Sequence, residues 1–403
     1  MTRRSLEGPS VLEELRSRVR IGIDGRRLGF RPKGIGRYIW ELCKGLDDIL
    51  PNAEFFLYSP RALSLPAISG RWSIKVDESP LRRLPSNLWL VFGAGLLGQR
   101  DGVDCFWSGS GLLPLVGLRA KTVLTIHDLV HKVAPETMDT RALWAARLFF
   151  RSSVAQANSL VSNSEGTAKR LKEHFGYKVA AVVRPGISTV FKPPAEHEIR
   201  RILARYDVSR PYLLAVATWE PRKGLELLIQ TFLGMKAAGL VADHKLVLIG
   251  ERGWKDVAIT ELVRRNADSV ISLGFVEDPA LAGLYRGAEA FVFPSKYEGF
   301  GMPVLEARAC GAVVIASDLP ELREAGGESA IYVEPTEEGL RQGILTALTT
   351  RLREELNWQD WSWNKSAATL ARVLLSSASR MVSPTIIKSS CRQVMAERDP
   401  IRA

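Results

Sequence analysis

Residues 291–318 read FVFPSKYEGFGMPVLEARACGAVVIASD, and the fold of the whole chain can be predicted from this unit. The stretch starts with an apolar run (FVFPS) that indicates a buried strand. It then passes through a turn that contains Gly299 and Gly301, where the backbone can approach a ligand closely. A helical pattern (PVLEARACG) and a second apolar run (AVVIASD) follow. Strand, turn, helix and strand in this order predict part of a parallel sheet.

Two glutamates, Glu298 and Glu306, flank the turn. Pro303 suits the first position of the helix, and a helix N-terminus there would offer free N–H groups to an anion. The helix dipole also favours a carboxylate in the first turn. Two interpretations stay open on local physics: a ligand-binding turn, and a plain strand–turn–helix with a capping carboxylate. Because a carboxylate repels phosphate, we expect Glu298 to bind hydroxyl groups.

The alternation of strand and helix runs through both halves of the chain. The apolar runs VRIGID, FFLYS, DCFWSG, KTVLTIHD, SLVSNS and KVAAVVRPG predict strands in the first half. The runs PYLLAVAT, HKLVLIG, SVISLGFV, EAFVFPS, AVVIASD and IYVEP predict strands in the second. Residues 184–198 hold three prolines and have no periodicity, which is typical of an interdomain linker.

The predicted fold class is α/β, with two doubly wound Rossmann-like domains that face a shared cleft. Residues 1–20 form an N-terminal extension, residues 21–190 the first domain and residues 191–355 the second. Residues 356–382 are predicted to be helical, and residues 383–403 are a tail without a pattern.

Composition narrows the class of protein and its partners. The chain has 403 residues, 46% of them hydrophobic, which is ordinary for a soluble two-domain protein. Its net charge of +11 suggests acidic partners such as nucleotides, nucleic acid or an anionic membrane, although a diffuse basic surface explains the charge equally well. No nucleic-acid-binding module is present and the basic residues are spread along the chain, so no nucleic-acid partner is expected.

The cysteines and the apolar segments indicate the compartment. Cys43, Cys105, Cys310 and Cys391 lie far apart without a C-x-x-C pair, so neither a zinc site nor a disulfide framework is expected. The N-terminus lacks the apolar core of a signal peptide, and no run of eighteen apolar residues occurs. We therefore expect a cytoplasmic protein, with peripheral contact at the inner face of the membrane as an open alternative.

Further candidate residues follow the predicted strands, where doubly wound domains bind ligands. Arg222 and Lys223 could neutralise a diphosphate, although a solvated pair on a loop is the simpler explanation. His127 ends a strand, but a lone histidine is more often structural than catalytic. Gly34 and Gly36 form only half of a dinucleotide-binding fingerprint, which argues against NAD. No acidic cluster has the spacing of a metal site.

Two surface stretches mix basic and aromatic residues: LRRLPSNLWL at 81–90 and LWAARLFFR at 143–151. Either could face a membrane. Half-buried helices with snorkelling arginines are the more frequent explanation of such stretches.

Taken together, several motifs resemble those of the retaining glycosyltransferases of family 4, which have the GT-B fold. They are GIGRY, VLTIHDL, EPRKG and the E-x7-E pair in FPSKYEGFGMPVLE, and the resemblance spans roughly residues 21–375. The chain is most similar to the bacterial mannosyltransferase-like branch, which builds lipopolysaccharide or exopolysaccharide. The resemblance implies an acceptor-binding first domain, a donor-binding second domain, and C-terminal helices, with Trp361 and Trp363, that cross back to the first domain.

The resemblance also implies roles for particular residues. Glu298 would contact the hydroxyls of the donor sugar, with His127 beside the sugar as the second catalytic residue. Glu306 would bind the ribose, and Lys223, helped by Arg222, the diphosphate. The remaining donor contacts would come from the loop of Gly34 and Gly36 and from the backbone of Phe300, Gly301 and Met302.

The implied reaction moves a sugar from a nucleotide donor, with GDP-mannose preferred and UDP- or dTDP-sugars as alternatives. The acceptor would be a saccharide or a lipid-linked saccharide, and neither a cofactor nor a metal ion would be needed. One departure from the family is that Ala217-Thr218-Trp219 stands where many relatives have an arginine, so Arg37 or Arg252 could replace it. A sugar-nucleotide epimerase and a non-catalytic scaffold are competing hypotheses. The intact E-x7-E pair, EPRKG and His127 argue against both.

Overall fold

The computed structural model describes residues 19–29, 34–66, 69–138, 140–349, 356 and 358–378. The predicted tail at 383–403, Cys391 and all but the last two residues of the predicted extension lie outside the described residues.

The first domain is built on a parallel sheet. Its strands in the described residues are β1 (Arg20–Asp24), β2 (Glu54–Ser59), β3 (Trp72–Val76), β4 (Cys105–Ser108), β5 (Lys121–Ile126), β6 (Ser159–Ser162) and β7 (Ala181–Val182). They lie in the order β3-β2-β1-β4-β5-β6-β7. The sequence pattern did not predict β3. That strand is at the edge of the sheet and its side chains are all at least partly exposed, so it lacks the continuous apolar run of a central strand.

The second domain has a parallel sheet of the same kind. Its described strands are β8 (Tyr212–Val216), β9 (Lys245–Ile249), β10 (Val270–Gly274), β11 (Ala290–Phe293), β12 (Val314–Ser317) and β13 (Ile331–Val333). Their order is β10-β9-β8-β11-β12-β13. The strand order reverses beside β1 in the first sheet and beside β8 in the second, and such switch points open a crevice at the carboxyl ends of the strands. The two doubly wound α/β domains that the sequence predicts are therefore confirmed.

Helices cover both faces of both sheets. The first domain contains α1 (Ile35–Ile49), α2 (Ser86–Trp89), α3 (Gly95–Arg100), α4 (Val130–Val133), α5 (Thr140–Gln156) and α6 (Glu165–Phe175), with a π-helical turn at Leu90–Ala94. The second contains α7 (Glu196–Arg205), α8 (Leu225–Ala237), α9 (Val257–Arg265), α10 (Asp278–Gly287), α11 (Met302–Ala309), α12 (Pro320–Gly326) and α13 (Glu337–Thr349). Short 3₁₀ segments lie at Pro80–Arg83, Pro135–Thr137, Pro221–Lys223 and Trp358–Trp361, and α14 (Trp363–Ala378) comes last.

The strands alternate their side chains between two separate cores. On β4, Trp107 packs with α1 and α14 on one face of the first sheet, whereas Phe106 packs with Trp89 and Leu97 on the other. Both faces of the sheet are therefore apolar, which explains why its central strands appear in the sequence as short apolar runs.

The last helix returns to the first domain, as predicted. Helix α14 packs along α1, where Ala367 lies so close to Gly45 that a β-carbon on that glycine would stand 2.5 Å away. The amide of Ile187 donates to the carbonyl of Trp361 at 2.8 Å, and the Ser366 hydroxyl donates to the carbonyl of Arg184 at 2.6 Å. These bonds attach the start of α14 to the segment that joins the two domains.

Among the described residues, Cys43, Cys105 and Cys310 are buried free thiols. In the same part of the chain, no helix combines the length and the apolar character that crossing a bilayer requires.

Candidate active site

Glu298 lies at the centre of a buried cluster of charges. Its Oε1 is 2.6 Å from the Lys223 Nζ, and its Oε2 is 3.0 Å from the Arg222 Nη1. Burial alone would raise the pKa of the Glu298 carboxyl, but the charges of Lys223 and Arg222 and the hydrogen bond from Lys223 outweigh it and lower the pKa to about 2. Glu298 is therefore ionised at neutral pH. A second carboxylate joins the cluster, because the Glu220 Oε2 is 3.5 Å from the Arg222 Nη2, so two cations stand beside two carboxylates.

The local sequence explains how these three residues meet. Strand β8 is followed by a 3₁₀ turn at Pro221–Lys223, which carries both cations at the carboxyl edge of the sheet. Strand β11 ends at Phe293 beside β8, so the segment that follows it reaches the same edge. The Arg222 guanidinium also donates to the carbonyl of Tyr297 at 2.9 Å, which fixes this loop next to Glu298.

The turn after Glu298 leads into α11. Gly301 has φ 98°, a left-handed conformation that glycine adopts without strain, and it directly precedes the helix. Pro303 is the second residue of that helix, one position later than expected. The Phe300 side chain packs into the core of the second domain, so only its backbone is available to a ligand. Met302 is partly buried and packs against the cores of both domains.

Glu306 lies in the middle of α11 and is also buried. The Tyr285 hydroxyl donates to its Oε2 at 3.3 Å, and the Arg37 Nη1 is 3.6 Å from its Oε1. Burial raises the pKa of Glu306 to about 7, with the Arg37 charge acting in the opposite direction. The two glutamates of the E-x7-E pair are therefore in different environments: the paired cations favour the ionised form of Glu298, whereas burial favours the protonated form of Glu306.

Arg37 crosses the cleft from α1 in the first domain. Besides Glu306, its Nη1 contacts Asp278 at 3.1 Å, and its guanidinium lies over the Phe191 ring. Arg37 and Arg252 were the two candidates to replace the arginine that many relatives have near Thr218. Of these two, Arg37 lies at the site. Arg252 instead pairs with Asp256 at 2.5 Å and is 64% exposed.

His127 faces this cluster from the end of β5. Its Nε2 is 2.6 Å from the carbonyl oxygen of Gly109, which can only accept, so Nε2 carries a proton. Its Nδ1 is 3.5 Å from the amide nitrogen of Asn163. Burial lowers the pKa of His127, so the ring is neutral at pH 7, and the Tyr38 ring packs edge-on against it at 4.9 Å. The Asp128 carboxylate accepts from the amide of Val130, the first residue of α4, at 3.2 Å.

The two domains contact each other at the turn between the glutamates. The carbonyl oxygen of Gly299 accepts hydrogen bonds from the hydroxyls of Ser164 at 2.7 Å and Thr167 at 3.1 Å, both in the first domain. The amide of Leu129 donates to the Tyr297 hydroxyl at 2.7 Å. His127 and Glu298 are therefore brought to the same closed cleft, as the resemblance implies.

Several residues of the site were not singled out from the sequence: Asn163, Ser164, Thr167 and Tyr297. A signal was present for the first two, because they follow the apolar run SLVS at the carboxyl end of a predicted strand. Gly34 directly precedes α1, and Gly36 is buried in its first turn. Residues 30–33 of the same loop lie outside the described residues.

Two family models match the chain and together span most of it. The model described as Glycosyltransferase Family 4 matches residues 32–191, and the one described as Glycosyl transferases group 1 matches residues 210–350. The chain belongs to glycosyltransferase family 4. The family resemblance drawn from the motifs is thus confirmed.

Named relatives of this glycosyltransferase include mannosyltransferases. It is 28% identical over 355 residues to O-antigen chain mannosyltransferase B of Escherichia coli, with 83% of this chain and 89% of that protein covered. It is 28% identical over 320 residues to the serotype-specific mannosyltransferase WbdA of Escherichia coli, with 75% of this chain covered but only 38% of the longer relative. A D-inositol 3-phosphate glycosyltransferase of Gordonia bronchialis is 27% identical, with 74% of this chain and 72% of that protein covered.

Solved structures share the fold of this glycosyltransferase. Sucrose-phosphate synthase from Thermosynechococcus elongatus superposes with a TM-score of 0.66 at 18% identity, covering 94% of this chain and all of that one. WaaG, a glycosyltransferase involved in lipopolysaccharide biosynthesis, superposes with a TM-score of 0.62 at 15% identity, covering 87% of this chain and 94% of that one. The fold is GT-B.

Proposed function

We propose that this glycosyltransferase moves mannose from GDP-mannose, with retention of configuration, to a saccharide or lipid-linked saccharide acceptor. The acceptor would belong to a cell-surface polysaccharide. The similarity to O-antigen chain mannosyltransferase B, over most of both chains, supports the sugar and the pathway class. Reaction at the cytoplasmic side of the membrane is part of the same proposal.

The observation that carries the proposal is the convergence of Lys223 and Arg222 on Glu298, across the cleft from His127. The two cations, together with the Glu298 carboxylate between them, form a site for an anion that also carries hydroxyl groups. A sugar diphosphate has both features, because its diphosphate attracts the cations and its sugar hydroxyls donate to the carboxylate. Binding would therefore redistribute the contacts of Lys223 and Arg222 between Glu298 and the diphosphate.

The proposed reaction exchanges one bond of the anomeric carbon for another. The acceptor oxygen bonds to that carbon, the bond from the carbon to the diphosphate oxygen breaks, and GDP leaves. The acceptor proton passes to the departing diphosphate on the same face. Because negative charge grows on the diphosphate, fixed cations stabilise the transition state. In this proposal Lys223 and Arg222 supply that charge without a metal ion.

His127 has a different part in the proposal. A neutral ring with its Nε2–H held by Gly109 can accept through Nδ1, where the contact with Asn163 is long at 3.5 Å. A sugar hydroxyl would donate to Nδ1 in place of that contact. For the nucleoside, the Glu306 carboxylate would accept from the ribose hydroxyls. Closure of the two domains over the donor would exclude water and limit its hydrolysis.

A thermal-shift panel with GDP, UDP, dTDP and ADP, followed by transfer assays with the matching mannose or glucose donors, tests the proposal. A nucleotide at about 100 times its Kd should stabilise the protein by about 2.7 kcal/mol. Selective stabilisation by GDP, unchanged by EDTA, and mannose transfer from GDP-mannose are expected. Selective stabilisation by UDP or dTDP would keep the family and replace the donor. No stabilisation by any nucleotide would favour a non-catalytic scaffold.

Two substitutions in the site, with one control outside it, separate the roles of the residues. Lys223→Ala should lower transfer by roughly 100- to 1000-fold, the usual effect of removing one group that stabilises charge in the transition state. Lys296→Ala removes an exposed lysine from the loop that follows β11 and should leave transfer unchanged. His127→Ala should abolish transfer while GDP still raises the melting temperature. Loss of GDP binding in His127→Ala would contradict the role given to that residue.

A further inference from the structure

Helix α5 presents an apolar and basic face to solvent. Trp144 is 71% exposed and Leu148, one turn later, is 66% exposed. Another side of the helix carries Phe150 and Val154, which are buried in the core of the first domain. The outer side of an ordinary surface helix is polar, so a tryptophan and a leucine there require a reason.

A second group of exposed apolar residues lies on the same side of the first domain. Phe92, Leu96 and Val116 are each between 42% and 48% exposed. The segment before Val116 connects the two groups by hydrogen bonds. The amide of Leu113 donates to the Ser153 hydroxyl of α5. The amide of Leu115 donates to the carbonyl of Val91, next to Phe92. Helices α1 and α14 pack on the opposite side of the sheet. We refer to the side with the five exposed apolar residues as the outer face.

A basic cavity lies beside α5, which lines it with Arg147 and Arg151, close to Leu148 along the helix. It has a volume of about 380 Å³ and is lined by His131, Lys132, Arg147, Arg151, His174 and Phe175. None of these lining residues is acidic. Among the described residues, no carboxylate comes within ion-pair distance of the three permanent cations, Lys132, Arg147 and Arg151. Their charge is therefore available to an external anion.

We propose that the outer face docks on a bilayer that contains anionic phospholipids. Trp144 and Leu148 would enter the interfacial region, and the cavity would hold a lipid phosphate. Exposed apolar side chains combined with unpaired basic residues match a membrane surface, which offers an apolar interior below a layer of negative charge. A protein partner would need an apolar surface and carboxylates at positions that match those of this face. Fluid lipids can instead adapt to the scattered positions of Phe92, Leu96 and Val116.

The position of the outer face would bring the bilayer close to the candidate active site. Because α5 runs back along the sheet after β5, its first turns, with Trp144, lie toward the sheet edge where His127 stands. A bilayer against this face would place lipid-linked saccharides at the mouth of the cleft. This consequence rests on the proposed function, but the docking itself does not.

Vesicle binding by the full chain tests the proposal without any donor or acceptor. The protein is sedimented with phosphatidylcholine vesicles and with vesicles that contain about 30% phosphatidylglycerol. Each basic residue near an anionic surface contributes about fivefold to partitioning, so the triple variant Lys132→Gln, Arg147→Gln, Arg151→Gln should bind roughly 100-fold more weakly. The double variant Trp144→Ser, Leu148→Ser should lose at least about tenfold.

Matched controls lie on the second domain. The variant Arg200→Gln, Arg201→Gln, Arg205→Gln removes three exposed charges there, and Val257→Ser removes an apolar side chain that is 75% exposed. Both should bind vesicles like the wild type. Equal losses in the control triple variant would show that binding depends on net charge alone and would overturn the proposal. Equal binding to both kinds of vesicle, or to neither, would also overturn it. GDP-dependent stabilisation of every variant, measured separately, shows whether a failure concerns the docking or the proposed function.

Discussion

Gly299 and His127 contact each other across the cleft at a distance that admits no side chain on the glycine. A β-carbon on Gly299 would stand 1.9 Å from the backbone carbonyl oxygen of His127. The same glycine lies between Glu298 and Phe300 in the turn between the two glutamates. The two domains therefore meet at the candidate active site itself, and glycine is needed there because of the neighbouring domain.

Gly299→Ala should hold the domains apart. The added methyl group would displace Glu298 from His127 by about 1 Å or more, and a displacement of that size costs roughly 100-fold in rate. We expect transfer to fall by that factor, while GDP binding, whose proposed contacts lie mostly in the second domain, changes by less than about tenfold. Steady-state kinetics and calorimetric titration with GDP measure the two effects.

Gly234→Ala is the matched control for this substitution. Gly234 lies within α8 of the second domain, and the nearest atom to its β-carbon position is 4.0 Å away. This variant should keep full activity and gain slight stability, because alanine is the better helix former. A Gly299→Ala protein with normal transfer would mean that the catalytic state does not have the closed arrangement described above.

A second contact between the domains can be tested by its charge. Arg170 on α6 pairs with Glu321 on α12 at 2.6 Å, and the Glu321 side chain is fully buried. Arg170→Met should destabilise the protein by about 3 kcal/mol, since it leaves a buried charge unpaired. The double variant Arg170→Met, Glu321→Met should recover most of that loss. Denaturant unfolding checks both, and additive losses in the double variant would contradict the pairing.

The sequence predicted the sheets well because their strands are buried on both faces. Central strands such as β8 and β11 are continuous apolar runs, and these can be recognised without knowing their neighbours. The edge strand β3 was missed because it is only partly covered. The turn at Gly301 was also predictable, because glycine permits a left-handed backbone conformation and proline favours the start of a helix.

The partners of the site residues could not be predicted in the same way. Lys223 and Glu298 lie 75 positions apart, and which of Arg37 and Arg252 reaches the cleft depends on how two domains pack. The difference between Glu298 and Glu306 has the same origin. Both are buried carboxylates, but only Glu298 has two cations at hydrogen-bonding distance, and sequence spacing does not contain that information.

The raised pKa of Glu306 predicts how stability changes with pH. The folded-state pKa is about 7, whereas the carboxyl has an ordinary value of 4.5 in the unfolded chain. The folded protein therefore holds the proton more tightly, so this residue's contribution falls as pH rises from about 4.5 to 7 and is constant above that. The loss is about 3 kcal/mol. Glu306→Gln should lack this dependence, and unfolding of both proteins at several pH values measures the difference.

Nucleotide binding should respond to the same proton in the opposite sense. If the Glu306 carboxylate accepts from the ribose hydroxyls, binding requires the ionised form and releases a proton between about pH 6 and 7. The affinity for GDP should then rise about tenfold from pH 6 to pH 8. Calorimetry in two buffers of different ionisation enthalpy detects the released proton. A flat pH profile would place the ribose elsewhere.

The charge cluster around Glu298 leads to the sharpest prediction. Lys223 and Arg222 both contact this carboxylate, so under the proposed function it would compete with the donor diphosphate for them. Glu298→Gln keeps the size of the side chain but removes its charge. Lys223 then has no carboxylate partner in the cluster, while Arg222 keeps its contact with Glu220 at 3.5 Å. GDP should therefore bind the variant as tightly as the wild type or several-fold more tightly. Transfer should nevertheless fall by at least roughly 100-fold, because the hydroxyl groups of the donor sugar lose the charged carboxylate to which they would donate.

Glu298→Asp distinguishes the effect of the carboxylate charge from the effect of side-chain length. It retains the carboxylate but shortens the side chain, so the cations stay partly neutralised and GDP should gain no affinity. Transfer should still fall, since the carboxylate no longer reaches the sugar hydroxyls. Titration with GDP and kinetics with the sugar donor give both quantities for each variant. Weaker GDP binding by Glu298→Gln would mean that Glu298 positions the two cations for the diphosphate and does not compete with it.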